Sequence, residues 1–194
     1  MDTHAEAVTT GCLAEVRLRM EHRIRTGRLE LEPVSWRDID DVARLKANAG
    51  AMGLRGGGVR SRGQSEADMA AHIFSWGRDG VGIFAVREGG RFVGMAGVWP
   101  VGKDGTYEFD YALFPSRAGR GLTREAAGAA LAFAHDVGVR RIVAHVQDAD
   151  IVGRKIIGGS GMAVCQRYAA PDGRSMLLYH SVRVPGGVPA GTLH

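Results

Sequence analysis

From residue 28 to 34 polar and apolar side chains alternate strictly (Arg-Leu-Glu-Leu-Glu-Pro-Val), the period of a half-buried strand. Ser35 then predicts a helix cap with Asp38 in the first turn, and Ile39, Val42, Ala43 and Leu45 recur at helical spacing. Ser65 predicts the cap of a second helix, with Glu66 and Asp68 near its positive end and Met69, Ile73, Phe74 and Trp76 as its apolar side. Apolar runs at 82–87 and 91–99, joined by Glu88-Gly89-Gly90, predict a β-hairpin, and a further strand at 106–114 follows a turn at 102–105. After a glycine-bearing loop come an alanine-rich helix to about Val137, a buried strand at 141–147, a short helix to about Gly159 and closing strands near 162–168 and 175–183. The order is strand, two helices, three strands, helix, strand, helix, two strands, and it predicts an α/β domain of about seven strands and about four helices.

This pattern occupies residues 23–184 of 194, leaving 1–22 as an N-terminal extension and 185–194 as a Pro- and Gly-bearing tail. Residues 13–20 alternate weakly, which fits an extra strand, a packing helix or a start site upstream of Met20. The basic, glycine-rich stretch 55–63 predicts a loop: a lip over a substrate, or a connection with no function. With 45% hydrophobic residues the chain can bury one sizeable core.

Charge and cysteines narrow the function classes. The net charge of +4 comes from scattered arginines, with Lys46, Lys103 and Lys155 the only lysines, so nucleic acid is not indicated. Cys12 and Cys165 match no zinc or redox spacing, so neither a metal site nor a disulfide framework is suggested. With no membrane-length apolar run and no signal-peptide pattern, a soluble cytoplasmic protein is expected.

The most informative stretch is 114–126, where a strand end passes through Gly119 and Gly121 into a helix. The first N–H groups of a helix lack partners, sit at the positive end of its dipole, and can meet an anion closely where glycines precede them. An anion site is predicted here on physical grounds alone.

Residues 24–182 resemble the GNAT superfamily, and within it the ribosomal-protein alanine N-acetyltransferase branch. Residues 24–31 are similar to that branch's opening strand, and Glu108-Phe109-Asp110-Tyr111 to its Glu-Ile-Gly-Tyr strand. Ala118-Gly119-Arg120-Gly121-Leu122-Thr123 falls on the pyrophosphate signature (Arg/Gln)-x-x-Gly-x-(Gly/Ala), with Gly121 on its central glycine. Residues 146–162 align without gaps on the stretch that ends in Gly-Phe, here Gly161-Met162.

The resemblance implies a twisted, mostly antiparallel sheet with a central splayed parallel pair, acetyl-CoA as cosubstrate without a metal, and a primary amine as acceptor. It implies that Ala118, Gly119, Arg120, Gly121, Leu122 and Thr123 hold the pyrophosphate and that Leu113 and Phe114 offer backbone groups to the pantetheine arm. Asp150 stands at a cofactor-binding position usually held by Asn, and Gly153 at a Ser that often protonates the leaving thiolate; the Tyr that other branches use as acid falls at Ile157. Homodimerisation is a habit of the family that this sequence leaves open.

On an extended strand, side chains two apart share a face, which sets Glu108 and Asp110 about 7 Å apart on one side. Glu108 is the family-matched base; Asp110, standing where the family has Gly, is a second candidate, and water a third. Cys165, Tyr168, His135 and His145 read as packing or cleft residues. Two further readings stay open: a non-catalytic acyl-CoA-binding regulatory protein, suggested by Asp150, Gly153 and Ile157, and an RNA- or ribosome-associated protein using the arginines of 55–62. The acceptor itself is not legible.

Overall fold

The computed structural model describes residues 22–53, 58–102, 104–117 and 119–182. Most of the N-terminal extension, the tail, Ala118, Lys103 and the beginning of the 55–63 loop therefore lie outside the described residues.

Eight strands form one sheet: β1 (Ile24–Arg25), β2 (Glu30–Pro33), β3 (Ile83–Glu88), β4 (Arg91–Pro100), β5 (Thr106–Leu113), β6 (Arg141–Gln147), β7 (Ala163–Ala169) and β8 (Ser175–Val182). Their order is β1-β2-β3-β4-β5-β6-β8-β7. Five helices accompany them: α1 (Ile39–Lys46), α2 (Ala49–Met52), α3 (Arg62–Asp79), α4 (Leu122–Asp136) and α5 (Ile151–Gly159). Strand and helix counts each exceed the sequence expectation by one. The additional strand is the two-residue β1, where the chain reverses through Thr26 to pair with β2, and the additional helix is the single turn α2.

Every neighbouring pair is antiparallel except β5 and β6, the expected central parallel pair. The β3–β4 hairpin closes through Gly89 (φ 54°) and Gly90 (φ 77°), the positive dihedrals that a tight primed turn requires.

Two apolar layers sandwich the sheet. On one side Leu122, Ala126, Ala127, Ala130, Leu131 and Ala134 of α4 pack against Phe109 of β5 and Ile142, Ala144 and Val146 of β6. On the other, Val42 and Leu45 of α1, Met52 of α2 and Met69 of α3 pack against Ile83, Ala85, Met95 and Ala112. Odd-numbered side chains of β5 thus meet α4 and even-numbered ones face α1–α3.

Three local expectations change. Ser35 opens a 3-10 turn, Trp36–Asp38, rather than the helix itself; its N–H and hydroxyl donate to Asp38, whose buried carboxylate also takes the Arg87 guanidinium of β3. The second helix starts at Arg62, not after Ser65. A reciprocal box forms in which Gln64 N–H donates to Ser61 Oγ and Ser61 N–H to Gln64 Oε1, so Ser65 is buried inside the helix. Phe74, assigned to the apolar side, is 64% exposed under the Arg78 guanidinium, while His72 and Ser75 occupy the buried face with Met69 and Trp76.

Gly97 of β4 lies opposite Asp110, and a Cβ there would run into the Gly82 carbonyl and Ile83 backbone of the next strand. Gly97→Ala is expected to destabilise the fold by about 1–3 kcal/mol by prying β3 from β4. Thermal and urea unfolding of the two proteins will check this.

Candidate active site

The parallel ladder between β5 and β6 holds for only three residue pairs, Thr106–Arg141, Tyr107–Ile142 and Glu108–Val143. Beyond Glu108 the strands continue without pairing, and a slot opens between them. Thr106 C=O and Phe114 N–H point toward the β4 side, bonding Val101 N–H and Val93 C=O. By alternation the backbone groups of Phe109, Tyr111 and Leu113 point into the slot.

Leu113 thus turns its backbone groups to the slot, unlike Phe114. The Phe114 N–H is committed to Val93 and its carbonyl accepts from Arg117 N–H, because the chain turns there into a 3-10 segment, Pro115–Arg117.

At one end of the slot, Gly119 (φ 79°) and Gly121 (φ 75°) bracket Arg120, and Gly121 leads directly into α4. These left-handed turns suit glycine, and they present the first-turn N–H groups of the helix outward. Leu122 is fully buried, so only its backbone can serve a ligand; the Thr123 side chain is partly exposed.

The loop is clamped from the far edge of the sheet. Arg28 Nη1 donates to Arg120 C=O (2.6 Å), Arg28 Nε to Glu125 Oε2 (2.7 Å), and Thr26 Oγ1 to Glu125 Oε1 (2.5 Å). Arg117 and Arg120 both reach Glu88, leaving this corner one positive charge in excess. Ala118 lies outside the described residues.

The other end of the slot opens into a cleft of about 270 Å³ lined by Glu108, Asp110, His145, Asp150, His72, Trp99, Lys46, Arg60 and Asp68, among others. The expected juxtaposition of Glu108 and Asp110 is present: both face α1–α3, opposite Trp99 and Gly97 of β4 respectively. Their situations differ. Asp110 Oδ1 accepts the Tyr111 backbone N–H at 2.8 Å, one of the groups on the slot's edge. Burial, and secondarily the charge of Asp110, raises the pKa of Glu108 above its ordinary value.

Asp150 caps α5, its Oδ1 accepting Gly153 N–H at 2.8 Å. A Cβ on Gly153 would crowd that carboxylate, so a serine at 153 would require the Asp150 side chain to shift. Ile157 is buried in the core.

On the β6 side, His145 Nδ1 lies 2.7 Å from Tyr168 OH, the two rings edge to face. Cys165 is exposed, its thiol directed to Leu178 C=O, and His135 bonds Val139 C=O and Ser181 away from the cleft. No group of three or more His, Cys, Asp or Glu is arranged to hold a metal among the described residues.

Sequence reading missed His72, Lys46, Arg60, Asp68 and Trp99. Lys46 Nζ donates to Asp68 at 2.7 Å, and Arg60 approaches the same oxygen at 3.4 Å. Burial works to raise the Asp68 pKa, but the hydrogen bond and charge of Lys46, with Arg60 behind it, bring it below the ordinary value. His72 stands edge-on to Trp99, with Nδ1 buried and without a hydrogen-bond partner. Its signal was present in the spacing: Met69, His72 and Trp76 form one stripe at helical intervals, with a titratable side chain where an apolar one would do.

A sequence model of the GNAT acetyltransferase domain matches residues 28–163, well over half the chain. The chain belongs to that family of acetyltransferases, whose acetyl donor is acetyl-CoA. Among solved structures it is similar to a GNAT-family acetyltransferase from Bacillus anthracis, at 19% identity and TM-score 0.71, covering 82% of this chain and 98% of that one. It is also similar to a ribosomal L7/L12 α-N-protein acetyltransferase in complex with coenzyme A, at 14% identity and TM-score 0.72, covering 83% and 98%. A ribosomal-protein-S5-alanine acetyltransferase from Vibrio fischeri follows at 11% identity and TM-score 0.69, covering 82% and 96%. A search by sequence against curated proteins returns no match. No helix among the described residues is long and apolar enough to cross a membrane.

Burial, with the Lys46 charge adding to it and Asp110 and Asp68 opposing, lowers His72 from 6.5 to about 4. A folded-state value below the unfolded one means that the unfolded chain binds the proton first. His72's share of stability is therefore full above pH 6.5 and lost as the pH falls toward 4. Urea midpoints measured across that interval should fall with pH, and His72→Phe should flatten part of the slope.

Proposed function

We propose that this chain transfers the acetyl group of acetyl-CoA to a primary amine that enters the cleft between α1–α3 and β5, with Glu108 as the base. The observation that carries the reading is the place of Glu108: it sits at the last rung of the parallel ladder, where the slot begins, on the face that lines the cleft.

The slot and the glycine loop suit the cosubstrate. The slot-facing backbone of Leu113 would hold the pantetheine arm, and the N–H groups around Gly119, Arg120, Gly121, Leu122 and Thr123 would hold the pyrophosphate, with Arg120 adding charge. Asp150, at the cleft wall, stays near the cofactor as the cap that orders the start of α5. Bound acetyl-CoA supplies the activated acyl carbon; the remaining work falls to the protein.

An amine arrives as an ammonium and reacts only when neutral. Glu108 serves this better than Asp110, because its pKa is raised while the Asp110 carboxylate is engaged by Tyr111 N–H. Asp110 and the Trp99 ring suit a cation at the mouth of the cleft, and Lys46 and Arg60 are drawn off to Asp68. Two of the similar structures are named as acetyltransferases of ribosomal proteins, one of them an α-N-protein enzyme, so a protein N-terminus is the first acceptor to try, beside small alkylamines.

CoA release is measured with acetyl-CoA and a panel of N-terminal peptides and small amines. Glu108→Gln should lower kcat/KM by about 10²–10⁴-fold with CoA affinity retained. As an ionised base is required, kcat/KM should fall as the pH drops through the Glu108 pKa, which lies above the ordinary 4.5. Asp110→Asn should move that limb to lower pH, because it removes one of the two causes of the upward shift. Absence of CoA release with every acceptor, despite CoA binding, would sink the reading.

A further inference from the structure

The proton removed from the amine has a base to receive it, but the sulfur that leaves also needs a donor. Neither family position supplies one: Gly153 has no side chain, and Ile157 is apolar and buried. Among the described residues lining the β6 side of the cleft, Ala144, Val146 and Met176 carry no exchangeable side-chain proton, and the Gln147 amide does not release one at working pH. Asp150 is held as a helix cap.

Strand register brings a donor from further along the chain. His145 pairs with Leu178 of β8, which pairs with Gln166 of β7; one row on, Gln147, Met176 and Tyr168 align the same way. Since Ala144 and Tyr179 point into the α4 layer, His145, Met176 and Tyr168 lie on the opposite face, the face of Glu108 and Asp110. Tyr168 therefore reaches past Met176, and its hydroxyl meets Nδ1 of His145 at 2.7 Å. Glu108 and the His145–Tyr168 pair thus flank the closed end of the slot, one on each lip.

We propose that His145 and Tyr168 form the proton-donating arm of this site, His145 presenting Nε2–H to the departing sulfur and Tyr168 resupplying that proton through Nδ1. The inference rests on the acetyl-transfer reading above. Burial lowers the His145 pKa, so the ring is neutral at working pH and carries one N–H. Burial, then the charge of Glu108, raises the Tyr168 pKa, so the phenol keeps its proton and donates to Nδ1, which leaves the imidazole N–H on Nε2.

The step balances. Once Glu108 has passed the ammonium proton to solvent, the neutral amine nitrogen forms the bond to the acetyl carbon and yields its next proton to Glu108, and the C–S bond breaks with its electron pair on sulfur. Sulfur takes the Nε2 proton as Nδ1 takes the phenolic one; the proton that Glu108 holds then returns through solvent to Nε2, while Nδ1 gives its proton back to the tyrosinate. The net change moves one proton from amine to thiol. His145 is the catalytic residue of the pair, and Tyr168 fixes its tautomer and refills it.

The test uses the full chain and CoA itself, following thiolate ultraviolet absorbance against pH with desulfo-CoA as the blank. A donor beside the sulfur should make the bound thiol ionise at lower pH than free CoA. Tyr168→Phe and His145→Leu should each raise that ionisation by about half a pH unit or more, in proteins that still bind CoA. With acetyl-CoA and the best amine of the panel, kcat should fall by about 10²-fold in both variants with the KM for acetyl-CoA little changed. The inference is overturned if both variants keep the wild-type thiol ionisation and kcat while Glu108→Gln is inactive, an outcome that leaves acetyl transfer standing. Failure of the wild type to bind CoA would overturn both readings together.

Discussion

The parallel ladder between β5 and β6 stops after three rungs, and the rest of the site is organised around that stop. Two strands that part in mid-sheet leave backbone N–H and C=O groups that must find other partners, a demand normally met within the fold. The sheet tolerates the gap because each lip is held from outside by a long antiparallel ladder, β4 on one side and β8 on the other. A slot with rigid walls and free backbone polarity results. The face alternation of β5 then places Glu108 and Asp110 on one lip, and that of β6 places His145 on the other.

Much of this was legible in the chain. The period-two runs at 28–34 and 106–114, the Gly89-Gly90 turn and the alanine stripe of α4 are local signals, and they yielded the sheet and the helix that covers it. Gly119 and Gly121 marked the turn into α4. What local pattern could not supply was pairing across distance. His72, Lys46 and Asp68 sit on two helices, and nothing in either helix reveals that a strand carrying two acids runs beneath them. Tyr168 joins His145 only because β8 is interposed between their strands. The misplaced start of α3 has a smaller cause: Ser61 and Ser65 both suit a cap, and the presence of Gln64 three residues after Ser61 decides between them.

The departures from the family pattern prove to be linked rather than independent. Asp150 and Gly153 go together, since the capping carboxylate lies where a side chain at 153 would begin. Asp110 stands opposite Gly97 in the register, and its carboxylate engages the edge N–H of Tyr111. Each acid is thus matched by a glycine or a backbone donor close by. Asp110 and Asp150 add negative charge to the cleft with a backbone donor on each carboxylate, which leaves Glu108 as the acid whose desolvation is felt.

The clamp of Arg28 and Thr26 on the glycine loop and the start of α4 couples parts of the chain that lie 97 and 99 residues apart. Contacts of such separation form only after the intervening strands have closed, because the entropy of the long loop must be met first. The start of α4, to which we assign the pyrophosphate, is therefore completed by the outermost edge of the sheet and not by its own neighbourhood. During synthesis or refolding, affinity for coenzyme A would emerge late, with the whole sheet rather than with the loop, and so reports on the integrity of a distant edge.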